Sequence, residues 1–399
     1  MAVELGNRPI GQREGPPEDR TERWPWIDVL RGLSILSVVL LHIDIRIPLS
    51  QSPLGSVLPP DASRVLVRSG YYGVKVFLVL SGFLITTTML RRWQAREHVD
   101  VGAFYQLRAA RIVPCLLALL ATGSVLHLLG APGFVVSRTS LGRALLAALT
   151  FHVNRLEILV GYLPATWDVL WSLSVEEVFY LSYPLLLRFV RGSWVLACGA
   201  VLLVAAGPLA RTTWAHNDLS AEYGYLANMD CIVFGCIAAF AARRPAPTSV
   251  LRAAQYLGVC LVLLVIVARR TTVTLWMTAA GLNVTVLALG MALVLWSRAR
   301  SLNHRPGSGR LLEPLRWLGQ YSYEIYLTHS FLTVLGARLF VFLGSPRTTT
   351  PLWHVAITLA SAFVGWVVAR SLSEPANRRM RAWRVWRDAR GAERTIGVA

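Results

Sequence analysis

Residues Trp26–His42 read WIDVLRGLSILSVVLLH, an apolar run of nearly the length that crosses a bilayer as a helix. A bilayer core of about 30 Å needs roughly 20 mostly apolar residues in helical form. Similar windows recur along the chain, in which 54% of the 399 residues are hydrophobic and only 16% are charged. This composition excludes an ordinary soluble globular enzyme and predicts an all-α, polytopic integral membrane protein.

Ten windows have the length and hydropathy of membrane spans. They are Trp26–His42, Gly73–Leu90, Ile112–Gly130, Val169–Leu187, Ser193–Ala210, Tyr225–Ala242, Ala254–Ala268, Val273–Trp296, Trp317–Phe340 and Leu352–Ser371. A further apolar stretch, Leu141–His152, is short and favours a re-entrant or interfacial element. We therefore expect about ten transmembrane helices.

Arginines indicate the orientation of these helices. If both termini are cytosolic, the cytosolic segments hold more than twice as many arginines as the outside segments, as the positive-inside rule requires. The net charge of +18 is then explained by topology rather than by nucleic-acid binding. We expect a disordered cytosolic N-terminus over residues 1–23, a transmembrane domain over 24–375 and a basic cytosolic tail over 376–399.

Ionisable side chains inside a span are unfavourable and therefore mark candidate functional sites. The first span contains Asp28, Arg31 and His42. Arg31 and His42 are eleven residues apart, which is close to three helical turns and roughly 16 Å of rise, so the two side chains share a face. A snorkelling arginine and an interfacial histidine would explain them separately, whereas the common face favours a shared polar cavity.

Two arginines, Arg108 and Arg111, stand one turn apart before the third span. Such a pair can bind a phosphate through several charge-assisted hydrogen bonds, although plain positive-inside topology would also explain it. In the second span, Lys75 enters the apolar run, and the small pair Ser81-Gly82 would let another helix approach closely.

The densest polar cluster is TWDVLWSLSVEEVFYLSYP, which begins at Thr166. Ser174 and Glu177 have the spacing of a capping box, so part of the cluster is explained by a helix start. Glu176 and Glu177 are adjacent and cannot share one face, so we expect one of them to point inward. An inward carboxylate could raise the basicity of a histidine. In the ninth span, Tyr326 shares a face with His329, whose depth an interfacial tyrosine belt does not explain.

Taken in order, these motifs resemble the acyltransferase-3 family of integral membrane O-acyltransferases. The resemblance covers about Trp26–Pro375, with departures at Val178 and Thr328. It rests on the Arg31-x10-His42 pair, SGFL at Ser81–Leu84, Arg108-x-x-Arg111, WSLSVEEVFYL at Trp171–Leu181, SYEIYLTH at Ser322–His329 and SLSEP ending at Pro375.

The resemblance implies transfer of a short acyl group from acyl-CoA, as co-substrate and without a metal, to a hydroxyl group. We hypothesise that His42 is the general base, supported by Glu176 or Glu177, and that CoA contacts Arg31, Arg108 and Arg111. A covalent route through His42 or Ser174 stays open. Further residues are expected to bind substrate or support the site: Asp28, Lys75, Ser81, Trp171, Ser172, Tyr180, Tyr326 and His329.

The acceptor is left open between two classes. Relatives that modify surface polysaccharides often carry an added esterase-like domain, and this chain ends soon after Pro375. This favours a small glycosylated acceptor, such as a macrolide antibiotic, over a cell-envelope polysaccharide or glycolipid. A proton-coupled transporter is the rival from another class, but its inverted repeats and broken helices are not evident in the spacing. In either case we expect a multi-pass protein of the bacterial plasma membrane with no nucleic-acid partner.

Overall fold

The computed structural model describes residues 24–93, 99–268, 271–300 and 309–380. Within these ranges the chain is helical and contains no β-strand. The all-α prediction is therefore confirmed. The predictions for residues 1–23 and for the tail beyond residue 380 lie outside the described residues.

The α-helices follow one another along the chain with short connections. They are α1 (Pro25–Asp44), α2 (Pro53–Val57), α3 (Pro60–Arg68), α4 (Gly70–Trp93), α5 (Val101–Leu128), α6 (Leu141–Leu149), α7 (Val153–Val160), α8 (Ala165–Asp168), α9 (Leu170–Phe189), α10 (Ser193–Arg211), α11 (Asp218–Tyr223), α12 (Leu226–Ala241), α13 (Thr248–Val267), α14 (Thr272–Ala279), α15 (Asn283–Arg300), α16 (Glu313–Gln320), α17 (Ser322–Phe342) and α18 (Thr350–Val368).

Several helices are long and apolar enough to cross a membrane. In the described residues this holds for eight helical segments, or for nine if α14 and α15 together form one span. These segments coincide with nine of the ten windows expected from hydropathy. The remaining window, Val169–Leu187, corresponds to α9, which is not among these segments. It is a helix of 20 residues that contains Glu176 and Glu177. A multi-pass membrane architecture follows from these helices.

The eighth predicted span is not continuous, and its break was not evident in the spacing of the sequence. Helices α14 and α15 meet at an angle of 106°. Gly281, between them, has φ of +67°, a left-handed conformation that favours glycine. Its carbonyl oxygen accepts a 2.8 Å hydrogen bond from Nε of Arg211. A side chain thus provides a hydrogen bond to a backbone carbonyl group that leaves the helical pattern.

The stretch Leu141–His152 forms only the nine-residue helix α6, which is too short to span a bilayer. The chain turns at Phe151, where φ is +57°, and continues into the short helices α7 and α8. This arrangement agrees with the expected re-entrant or interfacial element.

Helices α4 and α12 are packed with their backbones almost in contact. A Cβ atom added to Gly82 would collide with the carbonyl oxygen of Ile232, and one added to Gly235 would collide with that of Val79. Small residues allow such close approach inside a membrane, where van der Waals packing drives association. The close packing expected at Ser81-Gly82 is therefore present, and α12 is its partner.

A buried ion pair joins α10, α12 and α15. Nη2 of Arg211 lies 2.7 Å from Oδ2 of Asp230, and the two side chains are only 5% and 0% exposed. The hydroxyl of Thr285 donates to the same carboxylate oxygen over 2.7 Å. Removing one partner of such a pair would leave an uncompensated buried charge.

We predict that Gly235→Ala destabilises the bundle, because the new methyl group would meet the α4 backbone. Overpacking of this kind lowers the free energy of unfolding by about 1–3 kcal/mol. Gly199→Ala is the matched control, since a Cβ atom there has no neighbour within 4 Å. Thermal unfolding in detergent should show a lower midpoint for Gly235→Ala alone, and equal midpoints would contradict the packing described here.

Candidate active site

Two histidines from distant parts of the chain lie side by side. His42, near the end of α1, and His329, in the first half of α17, have ring centroids 4.9 Å apart and planes at 82°. His329 is fully buried, whereas His42 is half-buried. We call these two residues the histidine pair.

Backbone carbonyl groups determine the tautomer of His329. Its Nδ1 lies 2.7 Å from the carbonyl oxygen of Tyr326 and 3.2 Å from that of Ile325. Because a carbonyl oxygen only accepts hydrogen bonds, Nδ1 must carry the proton and donate it. Nε2 of the neutral ring is then an acceptor, and it is buried without a hydrogen-bond partner among the described residues. His329 therefore contributes to the site a buried acceptor nitrogen, Nε2, that has no partner among the described residues.

Arg46 is a positively charged residue that acts on the histidine pair. Its charge acts on both His42 and His329, and its Nη1 donates a 2.8 Å hydrogen bond to the carbonyl oxygen of His42. Asp168 in turn acts on Arg46 with the opposite charge. Positive charge on the histidine pair is consequently opposed by Arg46, which Asp168 partly compensates.

Arg31 lies on the same face of α1 as His42 and about three helical turns away. Its Nε donates a 3.1 Å hydrogen bond to the hydroxyl of Ser322, at the start of α17. The charges acting on it include Arg111, of like sign, and Glu176 and Glu324, of opposite sign. We call Arg31, Arg108 and Arg111 the arginine cluster.

The guanidinium group of Arg108 lies 3.9 Å from the ring centroid of Tyr180. The hydroxyl of Tyr180 donates to Glu176, which also accepts a hydrogen bond from Ser81. Ser81 therefore contributes more than the small size expected of it. These contacts join α4, α5 and α9 at the end of the bundle where Arg31 lies.

Both neighbouring glutamates have contacts in the protein interior. Glu177 is only 6% exposed, and Oε1 of its carboxyl group has no hydrogen-bond partner among the described residues. Arg108 and Arg111 are the cations whose charges act on it. The described contacts thus place Glu176 and Glu177 with the arginine cluster, whereas the neighbour of His42 is another histidine.

Ser174 does not cap a helix, so the expected capping box was wrong. Helix α9 begins four residues earlier, at Leu170. The hydroxyl of Ser174 donates to the carbonyl oxygen of Leu170 over 2.9 Å and accepts from the backbone N–H of Val153 over 3.1 Å. Ser174 therefore connects α9 to α7, and both of its contacts are structural.

The other expected support residues fall into three groups. Ser172 is hydrogen-bonded to the hydroxyl of Tyr326 over 2.7 Å, and the ring centroid of Tyr326 is 5.8 Å from that of His329. Lys75 is buried and donates to Oδ1 of Asn228 over 2.5 Å. Asp28 lies in the first turn of α1, near the arginine cluster.

An acidic pair on the short helices lies close to Arg46. The hydroxyl of Tyr223 donates a 3.0 Å hydrogen bond to Asp168, and the N–H of Leu163 donates one of 2.9 Å to Glu157. Burial raises the pKa of Asp168 to about 6, although the Tyr223 hydrogen bond opposes the rise. Burial and the charge of Asp168 raise the pKa of Glu157 well above its ordinary value. The pKa of Asp168 therefore lies above that of an ordinary aspartate, which the sequence did not indicate.

The sequence profile described as an acyltransferase domain, that of the acyltransferase-3 family, matches residues 24–370. The chain belongs to this family. The resemblance inferred from the sequence motifs is thereby confirmed, and the match covers all of α1–α18. No solved structure matches the chain significantly.

Curated relatives of this acyltransferase-family chain include three proteins named as O-acetyltransferases, one of them as putative. The peptidoglycan O-acetyltransferase OatA of Listeria monocytogenes is 25% identical over 85% of this chain and 53% of its own length. The putative peptidoglycan O-acetyltransferase YrhL of Bacillus subtilis is 24% identical over 84% of this chain and 51% of its own length. The O-acetyltransferase OatA of Staphylococcus aureus is 23% identical over 54% of this chain and 34% of its own length. The chain thus matches about half, or less, of these relatives.

Sequence reasoning missed several polar residues of this acyltransferase-family chain. Asp230, inside the sixth predicted span, could have been found because an ionisable residue in an apolar run is itself a signal. Arg46, Glu157 and Tyr223 stand in loops or short helices with no periodic pattern. Among the described residues, no group of three or more His, Cys, Asp or Glu side chains is placed to hold a metal ion.

We predict that acyl transfer depends on both members of the histidine pair. Loss of general acid–base catalysis lowers a rate by about 10²–10⁴-fold, so His42→Ala and His329→Ala should each fall in this range. His354→Ala is the matched control, because this buried histidine on α18 also places Nδ1 against a carbonyl oxygen four residues earlier and has an unpartnered Nε2. Acceptor-dependent thiol release should be measured; a fully active His42→Ala would refute the assignment.

Proposed function

We propose that this chain transfers a short acyl group, such as acetyl or propionyl, from acyl-CoA to a hydroxyl group of a cell-envelope glycan. The observation that carries the proposal is the arrangement along α1. A histidine pair with a free acceptor nitrogen lies at one end of a helix face, and the arginine cluster lies at the other. A bound CoA could hold its phosphates at the arginines while its thioester reaches the histidines.

In the proposed reaction, His42 accepts the proton of the acceptor hydroxyl while the hydroxyl oxygen attacks the thioester carbonyl carbon. A carbon–oxygen bond forms, the carbon–sulfur bond breaks, and the CoA sulfur leaves with the proton from His42. His42 is the better base of the two because it is half-buried and reachable, whereas His329 is fully buried. Neutral His329 can accept a hydrogen bond from protonated His42, whose positive charge is opposed by that of Arg46.

The proposed donor site is the arginine cluster. Arginine side chains present several N–H donors in a planar fork, which suits phosphate oxygens. Glu176 and Glu177 hold these arginines in place through Tyr180 and through their charges. We place this end of the bundle in the cytosol of a bacterium, because the arginine-rich segments lie there and CoA is a cytosolic compound.

The proposed acceptor follows from the relatives. Two of them are named as peptidoglycan O-acetyltransferases, one of these as putative, whereas the relatives' names give no support to the macrolide expected from the sequence. Membership of an acyltransferase family also favours an enzyme over a transporter, although the broken α14–α15 segment is a feature that transporters share.

We predict that the double substitution Arg108→Ala/Arg111→Ala weakens CoA binding by about tenfold or more, because hydrogen bonds to charged groups each contribute about 1.5–3 kcal/mol. Arg188→Ala/Arg191→Ala is the matched control, since these exposed arginines lie in and just after the last turn of α9, and their substitution removes the same charge. Retention on immobilised CoA should be compared for the two double variants. Equal retention would remove the arginine cluster from the donor site.

We also predict that the purified, detergent-solubilised chain releases thiol from acetyl-CoA when a soluble peptidoglycan fragment is added, and releases less with a panel of macrolides. The proposed acceptor supplies the attacking hydroxyl, so release should require it and should be lost in His42→Ala. Faster release with a macrolide than with the glycan fragment would return the acceptor to the class first expected from the sequence.

A further inference from the structure

A cavity of about 440 Å³ opens among α4, α11, α13, α14 and α15, apart from the arginine cluster. This volume falls within the roughly 300–1,000 Å³ that is typical of small-molecule sites. The cavity lies at the bundle end that holds the histidine pair, because α4 begins there while α1 ends there. Its lining residues are Tyr71, Tyr72, Glu222, Val265, Thr274, Leu275, Thr278 and Asn283.

The lining has the chemistry of a site for a neutral, hydroxyl-rich ligand. Tyr71 and Tyr72 offer aromatic rings, on whose faces the C–H groups of a sugar ring can pack. Glu222 contributes a carboxylate that accepts hydrogen bonds, and Asn283 contributes an amide that both donates and accepts. No arginine or lysine is among the lining residues in the described part of the chain. A phosphate or another anion would therefore meet Glu222 without a compensating cation on the lining.

Lys75, just beneath the cavity, does not change this conclusion. Its ammonium group is buried and already donates to Oδ1 of Asn228 and to the backbone carbonyl oxygen of Glu222, over 2.5 and 3.1 Å. It also lies 4.7 Å from the ring centroid of Tyr71. Lys75 thus fixes the floor of the cavity and is not available as an anion ligand.

Side-chain contacts and one step along the backbone connect the residues beside the cavity with those beside the histidine pair. The Lys75 ammonium group, beside Tyr71, is 4.9 Å from the ring centroid of Trp171, which stacks on Tyr223 at 4.3 Å. The residue after Trp171 is Ser172, whose hydroxyl contacts Tyr326 next to the pair. The cavity and the histidine pair therefore lie at the same end of the bundle and are connected through Trp171 and Ser172 of α9.

We propose that this cavity binds one sugar unit of the acceptor glycan and so positions a neighbouring unit for acylation at the histidine pair. This inference rests on the proposed function and adds the place where the acceptor is held. It assigns Glu222 and Asn283 the role of hydrogen-bonding sugar hydroxyl and amide groups, and Tyr71 the role of an apolar platform.

The test measures binding of a soluble β-1,4-linked N-acetylglucosamine tetramer to the full detergent-solubilised chain by titration calorimetry, without acyl donor. Thr278→Phe places a large ring in the cavity and should weaken binding at least tenfold. Thr278→Val is its control, because it keeps the volume and removes a hydroxyl that already donates to the Thr274 carbonyl oxygen over 2.9 Å.

A second pair of variants tests the chemistry of the lining. Glu222→Gln should weaken tetramer binding severalfold, whereas Asp218→Asn, one turn earlier on α11 and exposed, removes the same charge and should leave binding unchanged. The midpoint of thermal unfolding in detergent should be equal in all four variants, which shows that the chain is folded. Weaker binding to Glu222→Gln would show that hydrogen bonding by the carboxylate, and not only the volume of the cavity, determines tetramer binding.

Separate measurements distinguish failure of this inference from failure of the proposed function. Equal binding to wild type and Thr278→Phe, or no binding of the tetramer to wild type at millimolar concentration, would overturn the cavity assignment even if His42-dependent thiol release is observed. Loss of binding in Thr278→Phe would uphold the cavity as a glycan site even if no thiol release is found with any acceptor. In that case the proposed function alone would fail.

Discussion

The packing of α1 beside α17 is the contact on which the candidate site depends. Each end of α1 meets a polar partner on α17: Arg31 meets Ser322, and His42 meets His329. Arg31 precedes His42 on α1, and Ser322 precedes His329 on α17. Because the order is the same on both helices, the two helices run in the same direction. In hydrocarbon, a polar side chain without a partner is unfavourable, and these two meeting points fix how the helices align. Loss of that alignment would separate His42 from His329 and Arg31 from Ser322.

Hydropathy and charge predict the fold class well, because a bilayer admits a spanning chain mainly as apolar helices of a narrow length range. The bend between α14 and α15 escaped prediction, since hydropathy averages over Gly281 while the local backbone does not. Helical periodicity predicts that Arg31 and His42 share a face. It cannot predict that His329, far along the chain, completes the pair, because this depends on packing between helices. The same limit applies to Glu176 and Glu177, because their contacts with the arginine cluster also depend on packing between helices.

Two stabilising devices hold the bundle where its helices depart from ideal packing. Between α4 and α12, glycine has no side chain, so the two backbones lie against each other. This contact requires no polar group. Around the α14–α15 bend, Arg211 satisfies both the Asp230 carboxylate and the carbonyl oxygen of Gly281. The first device depends on shape and the second on paired charge. Thr274, Thr278 and Asn283, on the two sides of this bend, line the cavity of about 440 Å³, so Arg211 is hydrogen-bonded to the backbone beside one wall of that cavity.

The hydrogen bonds that fix the His329 tautomer limit where protons can travel. A histidine relays a proton through itself by accepting it at one ring nitrogen and releasing it from the other. In His329 the Nδ1 proton is held by the carbonyl oxygens of Ile325 and Tyr326, so the ring is a dead end for such a relay. A proton that reaches Nε2 of His329 would therefore have to leave from the same nitrogen. Any relay through the histidine pair would have to run through the ring of His42, whose nitrogens are not held in this way by backbone carbonyl groups of the described residues.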